Sequence, residues 1–233
     1  MLTAIIFGLV ASSALVIGGV LGAYWDPPRQ VVASALAFAS GALITALSFD
    51  LFEESFRSGG AVLAGIGLLA GAATFVITDG LLDRFVVGSV GGISGFALLA
   101  AVTLDGVPEN LALGVSLLQG ASALTLLVAI FASNLPEALS GAVGMRRQGW
   151  SRPFVISVWS ATAVLLAASV AFGNAVLSGA SNEMLSLLLA FAGGAVLASL
   201  ADTIMPDAYR EGGGLVAFAT VAGFFLSFMV ENL

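Results

Sequence analysis

Long apolar stretches divide this sequence at regular intervals. The first runs from Leu2 to Tyr24 without a charged residue and stops at 25–29, a stretch of Trp, Asp, two prolines and Arg. About 20 mostly apolar residues in a helix cross the hydrocarbon core of a bilayer, and aromatic residues and charges are typical where such a helix leaves it. The sequence therefore predicts an all-α membrane protein with eight transmembrane helices, at 2–24, 31–52, 61–80, 92–118, 121–145, 153–178, 183–205 and 212–230.

The connections between these runs are short, so we expect one transmembrane transporter domain over residues 1–233. Only 9% of the residues are charged, against about 25% in soluble domains, so lipid must take the place of water around most of the chain. The first run has no basic segment before it and no clear cleavage site, which favours a retained helix over a signal peptide. No phosphate-binding loop motif is present, and we expect neither an ATP-driven pump, an enzyme nor a nucleic-acid partner.

The arginines predict the orientation of the chain in the membrane. Loops on the cytoplasmic side of a membrane protein carry an excess of Lys and Arg, and this chain has no Lys. With eight spans, only Arg57 falls in an even-numbered loop. The odd-numbered loops hold the others and are predicted to be cytoplasmic, with both termini extracellular and the protein in the cell membrane: Arg29, Arg84, Arg146, Arg147, Arg152 and Arg210.

Two parts of the chain resemble each other, residues 37–47 (AFASGALITAL) and residues 190–200 (AFAGGAVLASL). They fall in the second and seventh spans, which cross the bilayer in opposite directions if there are eight. Similar helices in opposite orientation are typical of transporters built from inverted repeats, here spans 1–3 and 6–8, with the substrate site on the central helices 4 and 5. Chance is the alternative explanation, because Ala and Gly recur wherever helices pack closely in lipid.

Spans 4 and 5 share one polar motif inside apolar runs. Residues 105–110 read Asp-Gly-Val-Pro-Glu-Asn, and residues 133–138 read Ser-Asn-Leu-Pro-Glu-Ala. Ionisable side chains at this depth usually line a substrate path or a binding site. Each proline removes a backbone N–H and leaves the carbonyl four residues earlier without its helical partner, beside the acids. The alternative is a pair of helix kinks, each with a buried, protonated Glu.

The spacing places these polar groups on common helix faces. Asp105 and Glu109 are four residues apart, as are Ser133 and Glu137, so each pair shares one face of its helix. If the two faces met, three carboxylates and an oxygen of Ser133 or Asn134 would surround one cation. Oxygen ligands suit hard or borderline divalent ions such as Mn²⁺, Fe²⁺, Mg²⁺, Ca²⁺ or Zn²⁺. Asp79, Asp83 and Glu211 lie at span ends, where solvated positions are expected. Two further acidic groups could line vestibules on the two sides or lie at the interface: Asp50, Glu53 and Glu54 on one side, and Asp202 and Asp207 on the other.

At these residues the chain resembles the ZIP family of divalent metal transporters. That family carries a pattern close to His-Asn-x-Pro-Glu-Gly in helix 4 and a polar pair followed by x-Pro-Glu in helix 5. The resemblance implies eight transmembrane helices with extracellular termini, inverted three-helix repeats and a homodimer. It also implies metal ligands at the matching positions, Asp105, Glu109, Ser133 and Glu137, with Asn134 available to a second ion.

The resemblance implies a transporter of Zn²⁺, Fe²⁺, Mn²⁺, Cd²⁺ or Co²⁺ that moves these ions into the cytoplasm by alternating access, with no cofactor. Asp105 stands where His is common and Gly106 where Asn is common, so one second-site ligand is missing. The chain has no His at all, and the loss of imidazole favours oxygen-loving ions over zinc. Two alternatives follow from the residues: a proton-coupled transporter of a small organic solute, and an intramembrane aspartyl protease, whose Gly-x-Gly-Asp pattern is absent.

Overall fold

The structure is a computed structural model that describes residues 1–87, 95–118 and 123–232; within these ranges the side chains of 83–87, 95–102 and 105 are not described. Every element in the described residues is helical, which confirms the predicted all-α class. The α-helices are α1 (Leu2–Tyr24), α2 (Arg29–Ala46), α3 (Glu54–Val87), α4 (Gly95–Ser116), α5 (Leu124–Arg147), α6 (Arg152–Val176), α7 (Asn182–Ser199), α8 (Met205–Gly212) and α9 (Leu215–Glu231). Two short π-helical segments join some of them: the first π segment (Leu47–Glu53) lies between α2 and α3, and the second π segment (Leu200–Ile204) lies between α7 and α8.

The helical stretches have the length and composition of membrane spans. Among the described residues, five stretches are long and apolar enough to cross a bilayer, and α9 is a shorter apolar helix. Large apolar side chains on their outer surfaces are exposed, for example Val62, Leu69, Val164 and Phe218, each more than 70% exposed. A surface of this kind requires lipid, and the chain is a multi-pass membrane protein. The five spanning stretches are Leu2–Tyr24, Arg29–Leu82, Leu124–Arg147, Arg152–Val176 and Asn182–Gly212.

The predicted count of eight separate helices is wrong. The described residues form seven uninterrupted helical stretches, because the second and third predicted spans belong to one stretch from Arg29 to Val87. The backbone of that stretch leaves helical geometry at Gly60, with φ 76° and ψ 171°. Glycine adopts a positive φ without steric cost, so the chain bends there although its hydrogen-bonded turns continue on both sides.

The two π segments occupy equivalent positions in the two similar parts of the chain. The first begins at Leu47 and the second at Leu200, and these residues are a matched pair in the alignment of 37–47 with 190–200. π-helical turns are rare and are frequent at functional sites. The sequence did not predict them, since no residue type marks a π turn.

The packing of the helices also corresponds between the two similar parts of the chain. A Cβ atom built on Gly223 of α9 would lie 1.9 Å from the carbonyl oxygen of Phe38 in α2. One built on Gly71 of α3 would lie 1.9 Å from the carbonyl oxygen of Phe191 in α7. Phe38 and Phe191 are another matched pair of the alignment. Backbones that approach this closely need a residue without a side chain, and α2–α9 and α3–α7 are therefore corresponding helix pairs.

A second corresponding set surrounds the two motif-bearing helices. Here α1 packs on α5, with a Cβ built on Gly22 at 2.5 Å from the carbonyl oxygen of Leu139. In the same way α6 packs on α4, with a Cβ built on Gly173 at 2.8 Å from the carbonyl oxygen of Leu111. Leu139 and Leu111 each stand two residues after the Glu of a Pro-Glu motif, so both motifs have the same position relative to a packing helix.

Candidate metal site

The two prolines of the motifs lie inside continuous helices. Pro108 is within α4 and Pro136 within α5. Proline has no N–H to donate, so the carbonyl groups of Leu104 and Ala132 lack their usual helical partners. This places additional oxygen atoms one turn before each glutamate, as the sequence predicts.

The motif residues are buried. Glu109 is 5% exposed, Ser133 1% and Asn134 2%, while Glu137 is partly buried. Burying a charged carboxylate is costly unless it binds a cation, forms hydrogen bonds or takes up a proton. These side chains therefore need partners inside the protein.

On α5, the face that carries the motif oxygens lies away from the main packing face. α1 contacts α5 at Leu135 and Leu139, whose carbonyl oxygens would lie 2.4 Å and 2.5 Å from Cβ atoms built on Gly18 and Gly22. At 100° per residue, Ser133 and Glu137 are on the opposite side of the helix. Their side chains are therefore directed away from α1; the other helices that contact α5 are α2, α4, α6 and α9.

On α4, the motif glutamate lies at the edge of the main packing contact. Gly106 and Gly114 face α6, with built Cβ atoms at 2.5 Å from Leu166 Cδ1 and 2.2 Å from the carbonyl oxygen of Val170. At 100° per residue, Glu109 is about 60° from Gly106 and about 140° from Gly114 around the helix. Asp105 lies in α4, but its side chain is not among those described. α4 and α5 contact each other.

Two buried amides belong to the same region. Asn110 donates a hydrogen bond from Nδ2 to the carbonyl oxygen of Gly106, at 2.8 Å, and its Oδ1 has no hydrogen-bond partner. Asn134 Nδ2 also has no partner, while the Ser133 hydroxyl donates to the carbonyl oxygen of Ile130 at 3.1 Å. Ser133 Oγ keeps acceptor capacity when its proton is donated in this way.

The convergence of the predicted ligands is still a prediction. Among the described residues, no three acidic side chains lie close enough together to hold a metal ion. Because the side chain of Asp105 is not described, the predicted grouping of Asp105 with Glu109 and Glu137 is neither confirmed nor contradicted. Each of the two glutamates makes an interaction within the protein.

A cavity of about 280 Å³ opens at the arginine-rich end of the helices. One wall is formed by α2 and α8, and the other by the end of α5 with the α1–α2 connection. Ion pairs line it, with Asp26–Arg147 at 2.7 Å, Arg29–Glu211 at 3.4 Å and Asp207–Arg210 at 2.8 Å. Asp207, which the sequence placed either in a vestibule or at the interface, lines this cavity.

A second acidic group lies at the other end of α2, and its arrangement is not evident in the sequence. Asp50 of the first π segment is 3% exposed, and its carboxyl group shares a hydrogen bond with that of Glu231, at the end of α9. The two residues are far apart in the sequence, and Glu231 falls just after the last apolar run. The nearby Glu54 is paired with Arg57, and Glu53 is exposed.

Comparison with known proteins finds a plant relative. No family model matches the chain. A protein of Arabidopsis thaliana named "putative zinc transporter" is 25% identical to it in an alignment of 218 residues that covers 90% of this chain and 35% of the plant protein. The chain thus spans about a third of the length of that relative.

Proposed function

We propose that this chain transports divalent metal ions across the cell membrane into the cytoplasm, as a member of the ZIP family. The paired Pro-Glu motifs carry the proposal, because Glu109 and Glu137 lie inside α4 and α5, each one residue after a helix-interrupting proline, and neither side chain is exposed. The match over 90% of this chain to a plant protein named "putative zinc transporter" supports the same function.

The proposed ion site consists of oxygen atoms from α4 and α5. Asp105, Glu109 and Glu137 supply carboxylates, and Ser133 and Asn134 supply a hydroxyl and an amide oxygen. The chain contains no His and no Cys, so neither imidazole nor thiolate can select soft ions at this site. Carboxylate, amide and hydroxyl oxygens favour ions such as Mn²⁺ and Fe²⁺, with Zn²⁺, Co²⁺ and Cd²⁺ also accepted.

The proposed topology has eight membrane crossings. The stretch from Arg29 to Leu82 has 54 residues, and a helix rises 1.5 Å per residue, so it is more than twice as long as a bilayer of about 30 Å requires. A bend at Gly60 allows it to cross twice. The arginine-rich loops then lie in the cytoplasm and both termini lie outside.

Alternating access follows from the internal repeat. The corresponding contacts of α2–α9 with α3–α7, and of α1–α5 with α6–α4, are those that an inverted repeat would produce. The cavity between α2 and α5 lies at the proposed cytoplasmic end, while Asp50 contacts α5 at the other end. This combination corresponds to a path open towards the cytoplasm and closed towards the outside.

Metal binding by the purified protein tests the proposal and separates it from a proton-coupled carrier of an organic solute. In isothermal titration with Mn²⁺, Zn²⁺ and Cd²⁺, we expect saturable binding by the unmodified chain. Glu109→Gln and Glu137→Gln should weaken binding at least tenfold, which corresponds to about 1.4 kcal/mol. Glu53→Gln, an exposed acid outside the site, is the matched control and should bind normally. Absence of binding by folded protein would contradict the proposal and favour the organic-solute carrier.

A further inference from the structure

Asp50, which is buried, and Glu231, which is partly buried, form a pair of acids outside the proposed metal site. Their carboxyl groups share a hydrogen bond. The other oxygen atoms, Asp50 Oδ2 and Glu231 Oε2, are buried and have no hydrogen-bond partner. A hydrogen bond between two carboxyl groups needs a proton on one of them, since two carboxylates are both acceptors only.

The pair lies against the start of α5. The backbone N–H of Leu126 donates a hydrogen bond to Asp50, and α5 has no side-chain cap of its own at Ala123. The first N–H groups of a helix lack partners within the helix, so Asp50 acts as a cap supplied by another helix. Thr125, beside Leu126, is completely buried and its hydroxyl has no partner.

Among the residues that the structure describes, no positively charged group interacts with Asp50. Glu231 is the charged group that acts on Asp50. The helices α3, α4 and α7 also contact the first π segment. No described charged side chain of these helices interacts electrostatically with Asp50. Two carboxylates in contact, buried and without a cation, cannot both be ionised at low energetic cost.

We propose that Asp50 and Glu231 are a proton-binding site that closes the outer end of the path. With one proton shared between the acids, the first π segment, α9 and the start of α5 are held together at this point. When the proton leaves, two buried like charges repel each other, and α5 separates from the pair. The effect on access to the path rests on the proposed transport function, whereas the proton site itself does not.

The position of the pair in the fold agrees with this role. Asp50 is 14 residues after Leu36, which lines the cavity, so at 1.5 Å per residue it lies about 20 Å from that residue along α2 and its π extension. Leu126 and Arg147 are 21 residues apart, so about 30 Å separates them along α5. The same two elements, α2 with its π extension and α5, therefore meet at the pair and enclose a cavity at the opposite end.

Infrared difference spectroscopy of the purified protein tests the proton site without any transport measurement. Raising the pH from about 5 to about 9 should remove the C=O band of a buried, protonated carboxyl group. Asp50→Asn should lack that component, because an amide replaces the acid, and the exposed control Glu53→Gln should keep it. An Asp50→Asn spectrum identical to that of the unmodified protein would overturn the proposal. Loss of the band on adding Zn²⁺ at constant pH to Glu109→Ala/Glu137→Ala, which lacks the two glutamates of the proposed metal site, would also overturn it, because the ligand of the pair would then be a metal ion.

Thiol labelling then tests the closure, and the chain has no Cys of its own. In Thr125→Cys, labelling by a membrane-impermeant maleimide from outside should rise several-fold between about pH 6 and about pH 9, relative to the exposed control Ser178→Cys. In Thr125→Cys/Asp50→Asn it should stay low at both pH values, because the Asn amide can donate to Glu231 and accept from Leu126 without a proton. Equal labelling at both pH values in Thr125→Cys would overturn the closure. Failed metal transport with the infrared and labelling results intact would overturn only the transport function.

Discussion

Gly223 lies directly against the backbone of Phe38: a Cβ atom built on this glycine would be 1.9 Å from the carbonyl oxygen of Phe38. Within a membrane, apolar side chains gain nothing by leaving lipid for one another, so helices associate through close packing of small residues. Gly71 makes the same contact with the carbonyl oxygen of Phe191. The two glycines therefore set the spacing of two corresponding helix pairs.

Alanine at Gly71 should destabilise the protein. Its methyl group would overlap the carbonyl oxygen of Phe191, and overpacking of this kind typically costs about 1–3 kcal/mol. Thermal unfolding in detergent, followed by circular dichroism, should show a lower midpoint for Gly71→Ala and for Gly223→Ala. Gly65→Ala, in the same helix as Gly71 but with open space around it, is the control and should leave the midpoint unchanged or slightly higher. Equal midpoints for Gly71→Ala and Gly65→Ala would show that the contact does not limit packing.

The sequence predicted the helical class and most helix positions, because membrane spans have a strong signal in apolar length. The first predicted span, 2–24, coincides with α1. The predicted gap between the second and third spans was wrong, since the helical stretch from Arg29 to Val87 has only a kink at Gly60 in place of a connecting loop. The π segments were not predicted, because a π turn depends on how the backbone is hydrogen-bonded and not on a residue pattern. The short connection predicted between residues 118 and 121, the start of the span at 92, and the side chains of Asp83 and Arg84 lie outside the described part of the chain.

Single cysteines in exposed connections should report opposite sides of the membrane. Gln148 follows α5 and Ser178 follows α6, and both are exposed. In intact cells, an impermeant maleimide should label Ser178→Cys but label Gln148→Cys only after the membrane is permeabilised. The opposite pattern would reverse the orientation predicted from the arginines. Labelling of both in intact cells would contradict an odd number of crossings between them.

Uptake should fall at acid pH. Metal ions bind deprotonated carboxylates, so protons and metal compete for the same oxygen atoms. The initial rate of uptake into proteoliposomes, at a metal concentration below saturation, should decrease steeply as the outer pH falls below about 5, near the ordinary range of Asp and Glu. Raising the metal concentration should restore much of the rate. A rate that does not change across this range would contradict carboxylate ligands.

Ser133→Ala should weaken metal affinity without unfolding the protein. The hydroxyl is buried and hydrogen-bonded to the carbonyl oxygen of Ile130, and its loss removes one oxygen ligand while the carboxylates remain. We expect the concentration for half-maximal uptake to rise several-fold with little change in the thermal midpoint. Ser178→Ala is the control, because Ser178 is exposed after α6 and does not line the cavity. The same affinity in both variants would remove Ser133 from the site.

Less of the candidate site could be predicted than of the fold. The spacing of Ser133 and Glu137 placed both on one face of α5, since the helical period alone decides this. The pair of Asp50 and Glu231 could not be found in this way, because their contact depends on how α9 packs on the end of α2. Burial of Asp50 was likewise not predictable, since its position at the end of an apolar run is equally compatible with the interface.

The most direct measurement is metal uptake into proteoliposomes by the unmodified chain and by Glu109→Ala/Glu137→Ala, with Glu53→Gln as the control. We predict uptake of Mn²⁺, Fe²⁺, Zn²⁺, Co²⁺ or Cd²⁺ by the unmodified chain and by Glu53→Gln, and none by the double variant, although it should remain folded in the membrane. Near-normal uptake by the double variant, or no uptake of any of these ions by correctly folded unmodified protein, would contradict the proposed metal site.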